Sequence, residues 1–108
     1  MFPTFMLTAA NAIPASAQST GVKGWVFNGA DGMQTAYWIC EQDGVSQSHS
    51  HDFDEYMAVI DGHYTLIMGT ERYLLGKGDE FHIPPGVAHE GEFVKGTRTF
   101  HCFGGKRA

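Results

Sequence analysis

Two stretches decide the fold: GVSQSHSHDFDEYMAVIDG, residues 44–62, and GDEFHIPPGVAH, residues 78–89. In the first, four residues separate Gly44 from His49-Ser50-His51, three more precede Glu55, and six more precede Gly62. In the second, five residues separate Gly78 from Pro84-Pro85-Gly86, and two more precede His89. Side chains alternate faces along a strand, so His49, His51, Glu55, Met57 and Val59 share one parity if the segment stays extended. Two imidazoles and a carboxylate then converge on one interior. Tyr56, Ala58 and Ile60 take the opposite face, and their apolar character predicts that a second sheet or a subunit covers it. Pro84-Pro85-Gly86 reads as a rigid turn that aims His89 at the same interior.

Outward from these stretches, turn signals recur at short spacing: Asn28-Gly29, Asp31-Gly32, Asp43-Gly44, Asp61-Gly62, Gly69, Gly76-Lys77-Gly78-Asp79 and Lys95-Gly96. Between them lie runs rich in aromatic and β-branched residues: Gly24 to Asn28, Met33 to Cys40, Asp54 to Ile60, His63 to Met68, Arg72 to Leu75, Glu80 to Ile83, His89 to Val94 and Thr97 to Phe103. Helices have little room, and the pattern predicts an all-β antiparallel sandwich or barrel. Residues 1–20 show neither period and read as an arm packed on the barrel or on a partner subunit; residues 21–108 read as a single β-barrel domain. Tyr37, Trp38, Phe53, Phe81 and Phe100 are expected in the core of so small a barrel.

Together the two stretches resemble the two signature motifs of the cupin superfamily, over Gly44 to Phe93. The 15 residues from His63 to Lys77 match the short link of the smallest single-domain microbial cupins and leave no room for an inserted domain. The resemblance implies a small antiparallel β-barrel of the double-stranded jelly-roll, RmlC-like type. It also implies one divalent transition metal ion held by His49, His51, Glu55 and His89, with dioxygenase, isomerase and lyase chemistry all represented in the family. Two departures stand out. The first motif has four rather than five residues before its histidine pair, and Phe93 replaces the usual closing asparagine; neither removes a ligand.

The residue types support the same ligand set independently. Neutral imidazoles with one carboxylate suit Mn, Fe, Co, Ni, Cu or Zn, whereas Ca or Mg calls for an oxygen-rich cage. Four protein ligands leave two positions on an octahedral ion but complete a tetrahedral zinc. An isolated His-x-His would read as a polar surface strand; the rest of the pattern overturns that here. His63, His82 and His101 fit neither motif and are expected at the surface or hydrogen-bonded in the core. His101 has a second reading. If Thr99, His101 and Phe103 point inward, it stands near the metal as a proton carrier or as a donor to a ligand. If Arg98, Phe100 and Cys102 do so instead, Arg98 is placed to hold an anionic substrate. Asp52 and Asp54 have the opposite parity to the ligands and are expected in solvent.

Composition narrows the partners. The formal charge is −5 and Lys and Arg form no stripe, which argues against nucleic acid and anionic lipid. Pro3, Asn11, Pro14 and Gln18 interrupt the uncharged Met1 to Val22 stretch, so no membrane span is expected. Ala15-Ser16-Ala17 resembles a signal-peptidase site, but no Lys or Arg precedes the apolar run Phe5 to Ile13. Two cysteines, Cys40 and Cys102, read as buried free thiols, and the cytoplasm is the expected compartment. The apolar arm and two-faced central strand predict a homodimer. Three functions fit: a metal-dependent enzyme acting on a small organic molecule, a non-catalytic barrel that binds or senses such a ligand, and a structural zinc barrel.

Overall fold

Alternating apolar residues between closely spaced turns produce nine strands in the computed structural model, which describes residues 3–14 and 19–107. They are β1 (Val22–Asn28), β2 (Gln34–Cys40), β3 (Gly44–Val45), β4 (Glu55–Asp61), β5 (His63–Met68), β6 (Glu71–Gly76), β7 (Glu80–Ile83), β8 (Glu90–Phe93) and β9 (Arg98–Phe103). One sheet has the order β1-β2-β9-β4-β7 and the other β3-β8-β5-β6, with every pairing antiparallel. From β2 onward the chain repeatedly crosses between the sheets, as a jelly roll does.

The fold is all-β with two faces packed together, but the sheets do not close into a continuous barrel. The ladders stop where the chain must change sheet. Pro84 and Pro85 lack the amide hydrogen that would extend β7. At the β4–β5 crossing Gly62 has φ 84°, and a Cβ there would lie 2.6 Å from Thr97 Cα. Only glycine fits that turn. Fully buried Thr97 fastens the crossing: its hydroxyl accepts from the His63 amide at 3.2 Å and donates to the His63 carbonyl at 3.0 Å.

The core between the sheets contains Met57, Val59, Leu66, Leu75 and Ile83, drawn from β4, β5, β6 and β7. Burying a side chain of this size contributes about 1.5–3 kcal/mol, so the alternation fixes the register of each strand. It also orients the site. Glu55 precedes Met57 and Val59 on the same face of β4, and all three are buried, at 4%, 1% and 1% exposure. The carboxylate is therefore held inward by the packing of its neighbours.

Among the described residues of the amino-terminal segment, Thr4–Met6 and Ala9–Asn11 form 3-10 turns, and Ala12 bridges to Trp25 on β1. Met6 is buried, and Phe5 packs edge-on to Phe27 at 5.4 Å. The Ala15-Ser16-Ala17 stretch lies outside the described residues. No helix is long and apolar enough to cross a membrane among the described residues.

Candidate metal centre

Residues 49–59 do not form the single extended strand that parity requires. Strand β4 begins only at Glu55, and the chain from Ser46 to Asp54 is irregular apart from one bridge, between His49 and His89. Backbone contacts replace the strand. His49 and His89 exchange amide–carbonyl hydrogen bonds of 2.9 and 2.8 Å, and the Gly86 amide donates to the His51 carbonyl at 2.6 Å. The Pro-Pro-Gly turn thus ties the second motif directly to the first. One donor atom from each of His49, His51, Glu55 and His89 then falls within 4.8 Å of all the others.

Their hydrogen bonds orient them toward a common point. His49 Nδ1 donates to the Gln47 carbonyl at 2.8 Å and His89 Nδ1 donates to the Val87 carbonyl at 2.9 Å, the assignment that leaves each Nε2 with a lone pair. His51 is stacked on Phe53, with ring centroids 4.9 Å apart and planes 4° apart. Glu55 Oε1 lies 3.2 Å from His51 Nε2 and 3.3 Å from His89 Nε2. These three atoms are buried without a hydrogen-bond partner among the described residues. Converging unpaired nitrogens and oxygen cost free energy in a protein interior unless something satisfies them, and a divalent ion accepts all of them at once. The donor set therefore fits a metal ion.

The other carboxylate oxygen is accounted for. His101 Nδ1 donates to Glu55 Oε2 at 2.7 Å, and His101 Nε2 accepts from the Thr99 hydroxyl at 3.0 Å. The parity of β9 is thereby settled: Thr99, His101 and Phe103 are buried, while Arg98, Phe100 and Cys102 take the outer face. Arg98 lies near Tyr37 and Asp61 rather than the cavity. His63 is exposed, as is His82, which pairs with Asp54 at 2.7 Å; neither joins the cluster.

The local electrostatics suit metal ligation. Burial opposes ionisation of Glu55, but the His101 hydrogen bond and the imidazoles of His101 and His89 beside it outweigh it and hold the carboxyl well below its usual range. Burial lowers His49 and His51, keeping them neutral near pH 7. Burial also acts to lower His89, but Glu55 and the Val87 carbonyl more than compensate and raise it.

The cluster lies between two openings. A cavity of about 790 Å³ runs between the sheets, bordered by Trp38, Met57, Tyr64, Phe93 and His101 as well as Glu55 and His89. A cleft of about 540 Å³ reaches His49 and His51 from outside. Trp38, expected in the core, walls the cavity and meets the His101 ring edge-on at 4.7 Å. Phe93, at the position of the usual asparagine, is another apolar wall and stacks with Tyr64. Sequence reasoning overlooked Arg107, which borders both openings.

Comparison with known proteins gives the same architecture. The chain resembles KdgF from Halomonas sp., with 16% identity, 89% of this chain and 86% of that chain covered, and a TM-score of 0.76. It resembles an RmlC-like cupin from Shewanella frigidimarina at 18% identity, with 89% and 84% covered and a TM-score of 0.77. A tryptophan-to-tyrosine variant of oxalate decarboxylase from Bacillus subtilis matches at 15% identity and a TM-score of 0.69, over 80% of this chain and 26% of that one. At these identities the likeness is one of fold. No curated protein matches in sequence. A family model described as Cupin domain matches residues 36–104, spanning both histidine motifs and the closing strand. The chain belongs to the cupin domain family.

Proposed function

We propose that His49, His51, Glu55 and His89 bind one divalent transition metal ion, and that the protein is a metal-dependent enzyme acting on a small organic molecule held in the cavity between the sheets. One observation carries the reading: buried, mutually convergent donor atoms without hydrogen-bond partners border a cavity rather than sealed protein. A structural zinc needs no such access.

A bound ion of this class supplies Lewis acidity toward an oxygen-bearing ligand. The chain supplies position and exclusion of water. His101 holds Glu55 Oε2, so that Oε1 faces the three imidazoles. Trp38, Phe93 and Phe103 give the cavity apolar walls. His101 is also the group best placed to carry a proton, because it borders the cavity and passes its second nitrogen to Thr99. The reaction class, whether oxygenase, isomerase or lyase, follows from the metal and the ligand together.

Metal analysis of protein purified without added metal, coupled to mass spectrometry of retained small molecules, tests the reading. Enzyme function predicts substoichiometric or no retained organic compound beside a bound transition metal. One unmodified compound retained stoichiometrically marks a binding protein instead.

We further propose a homodimer in the cytoplasm. The outer face of the larger sheet and the arm leave Phe5, Phe27 and Tyr56 exposed at 58%, 40% and 40%, which favours pairing. Cys40 and Cys102 are free thiols, as a reducing compartment favours.

A further inference from the structure

Arg107 lies just beyond β9, yet its place is defined by the core. Its backbone amide donates to Gln34 Oε1 at 2.6 Å, and Gln34, only 1% exposed, donates in turn to Asn28 Oδ1 at 2.7 Å. Arg107 borders both the outer cleft and the inner cavity. It shares the outer cleft with His49 and His51 and the inner cavity with His49, Glu55 and His89. Three of the other six cations are paired, and of those unpaired among the described residues, Lys77, Lys95 and Lys106, only Lys106 borders an opening, the outer cleft. Arg72 pairs with Glu92, Arg98 with Asp61 and Lys23 with Glu41, whereas no carboxylate pairs with the Arg107 guanidinium among the described residues.

Arg107 is partly buried and stands beside the candidate metal cluster without a carboxylate partner among the described residues, which leaves its charge available to a ligand. With a divalent ion on the cluster, Glu55 offsets only one of the two charges and Arg107 adds another, so the ligand space carries a positive field. Asp43, the other acid bordering the inner cavity, is exposed and accepts the Lys95 amide at 2.8 Å. The guanidinium fork matches planar oxyanions, and a carboxylate presents two coplanar oxygens to it.

We propose that Arg107 is the anion subsite of this cavity and that the ligand is a small organic carboxylate, its carboxylate on Arg107 and a neighbouring oxygen directed at the metal donors. Trp38 and Phe93 accept the carbon skeleton. The proposal rests on the metal reading for the second contact, while the first belongs to Arg107 alone.

The experiment compares L-lactate with its neutral analogue lactamide, by NMR titration of the metal-free protein and by calorimetry of the Co(II)-loaded protein. Wild type should bind lactate about tenfold more tightly than lactamide. In Arg107→Gln the preference should vanish with lactamide binding unchanged, Arg107→Lys should retain part of it, and the charge-matched control Lys77→Gln should retain all of it. A wild type that binds neither probe, binds both equally, or keeps its preference in Arg107→Gln overturns the subsite. A wild type that takes up no Co(II) but keeps its preference for lactate, with that preference lost in Arg107→Gln, leaves the subsite standing and removes the metal reading.

Discussion

His49 and His89, separated by the whole span of β4 to β7, are bound to each other through their backbones by two reciprocal hydrogen bonds of 2.9 and 2.8 Å. Two imidazoles from distant motifs are thereby fixed before any ion arrives. Such preorganisation confines the cost of assembling the site to folding.

The hydrogen bond from His101 to Glu55 makes His101 a positioning residue. His101→Leu should weaken metal binding by about 10–100-fold, the range seen when a partner of a metal ligand is lost, and His101→Gln, which restores a donor, should recover part of it. Calorimetric metal titration beside thermal melts checks this. A loss of metal affinity that merely tracks a loss of melting temperature, without rescue by Gln, would reduce His101 to a core residue.

Acid should destabilise the metal-free protein in two stages. His49 and His51 have folded values below the unfolded value of about 6.5, so the unfolded chain takes up protons that the folded one resists, and stability falls as pH drops through that value. His89, raised on folding, contributes with the opposite sign, so His89→Gln should steepen the fall. The depressed Glu55 contributes stability above its unfolded value of about 4.3 and loses it below. Melting temperatures of chelated wild type and His89→Gln from pH 8 to pH 3 test this; a His89→Gln variant whose stability rises between pH 7 and pH 5.5 would contradict it.

Leu66 and Leu74 offer a contrast within one hairpin, at 1% and 79% exposure. Leu66→Ala should cost about 2–5 kcal/mol, and Leu74→Ala less than about 0.5 kcal/mol. Urea unfolding measures both, and similar losses would mean that the core between the sheets is misplaced.

Light scattering tests the proposed homodimer. A particle of twice the 11.8 kDa chain mass is expected at micromolar concentration, and Tyr56→Glu together with Phe27→Glu should dissociate it. A particle of chain mass in the wild type would refute pairing.

Much of this architecture was legible because its causes are local. Turn residues bounded the strands His63–Met68 and Glu80–Ile83 at their observed ends, and alternation put Glu55, Met57 and Val59 on one face. The two-residue strand β3 was missed because Gly44–Val45 is too short to show a period. The extended reading of 49–54 failed because contacts with His89 and Gly86, distant in sequence, replace strand geometry there. The same limit hid the parity of β9. Both alternations along Thr97 to Phe103 are chemically reasonable, and only pairing with β4 and β2 selects the one that brings His101 to Glu55. Arg107 escaped notice because its position depends on Gln34, a long-range contact without a pattern.

The central claim, that four named side chains bind one metal ion, is tested most directly by titrating metal-free protein with Co(II) while following visible absorption and heat together. Wild type should bind one equivalent with bands characteristic of nitrogen and oxygen ligands. Alanine at His49, His51, Glu55 or His89 should each lower affinity by at least about 100-fold, more than loss of a supporting partner, while His63→Ala leaves it unchanged. Unchanged affinity in the His51 and His89 variants, or binding that His63→Ala abolishes, would contradict the account.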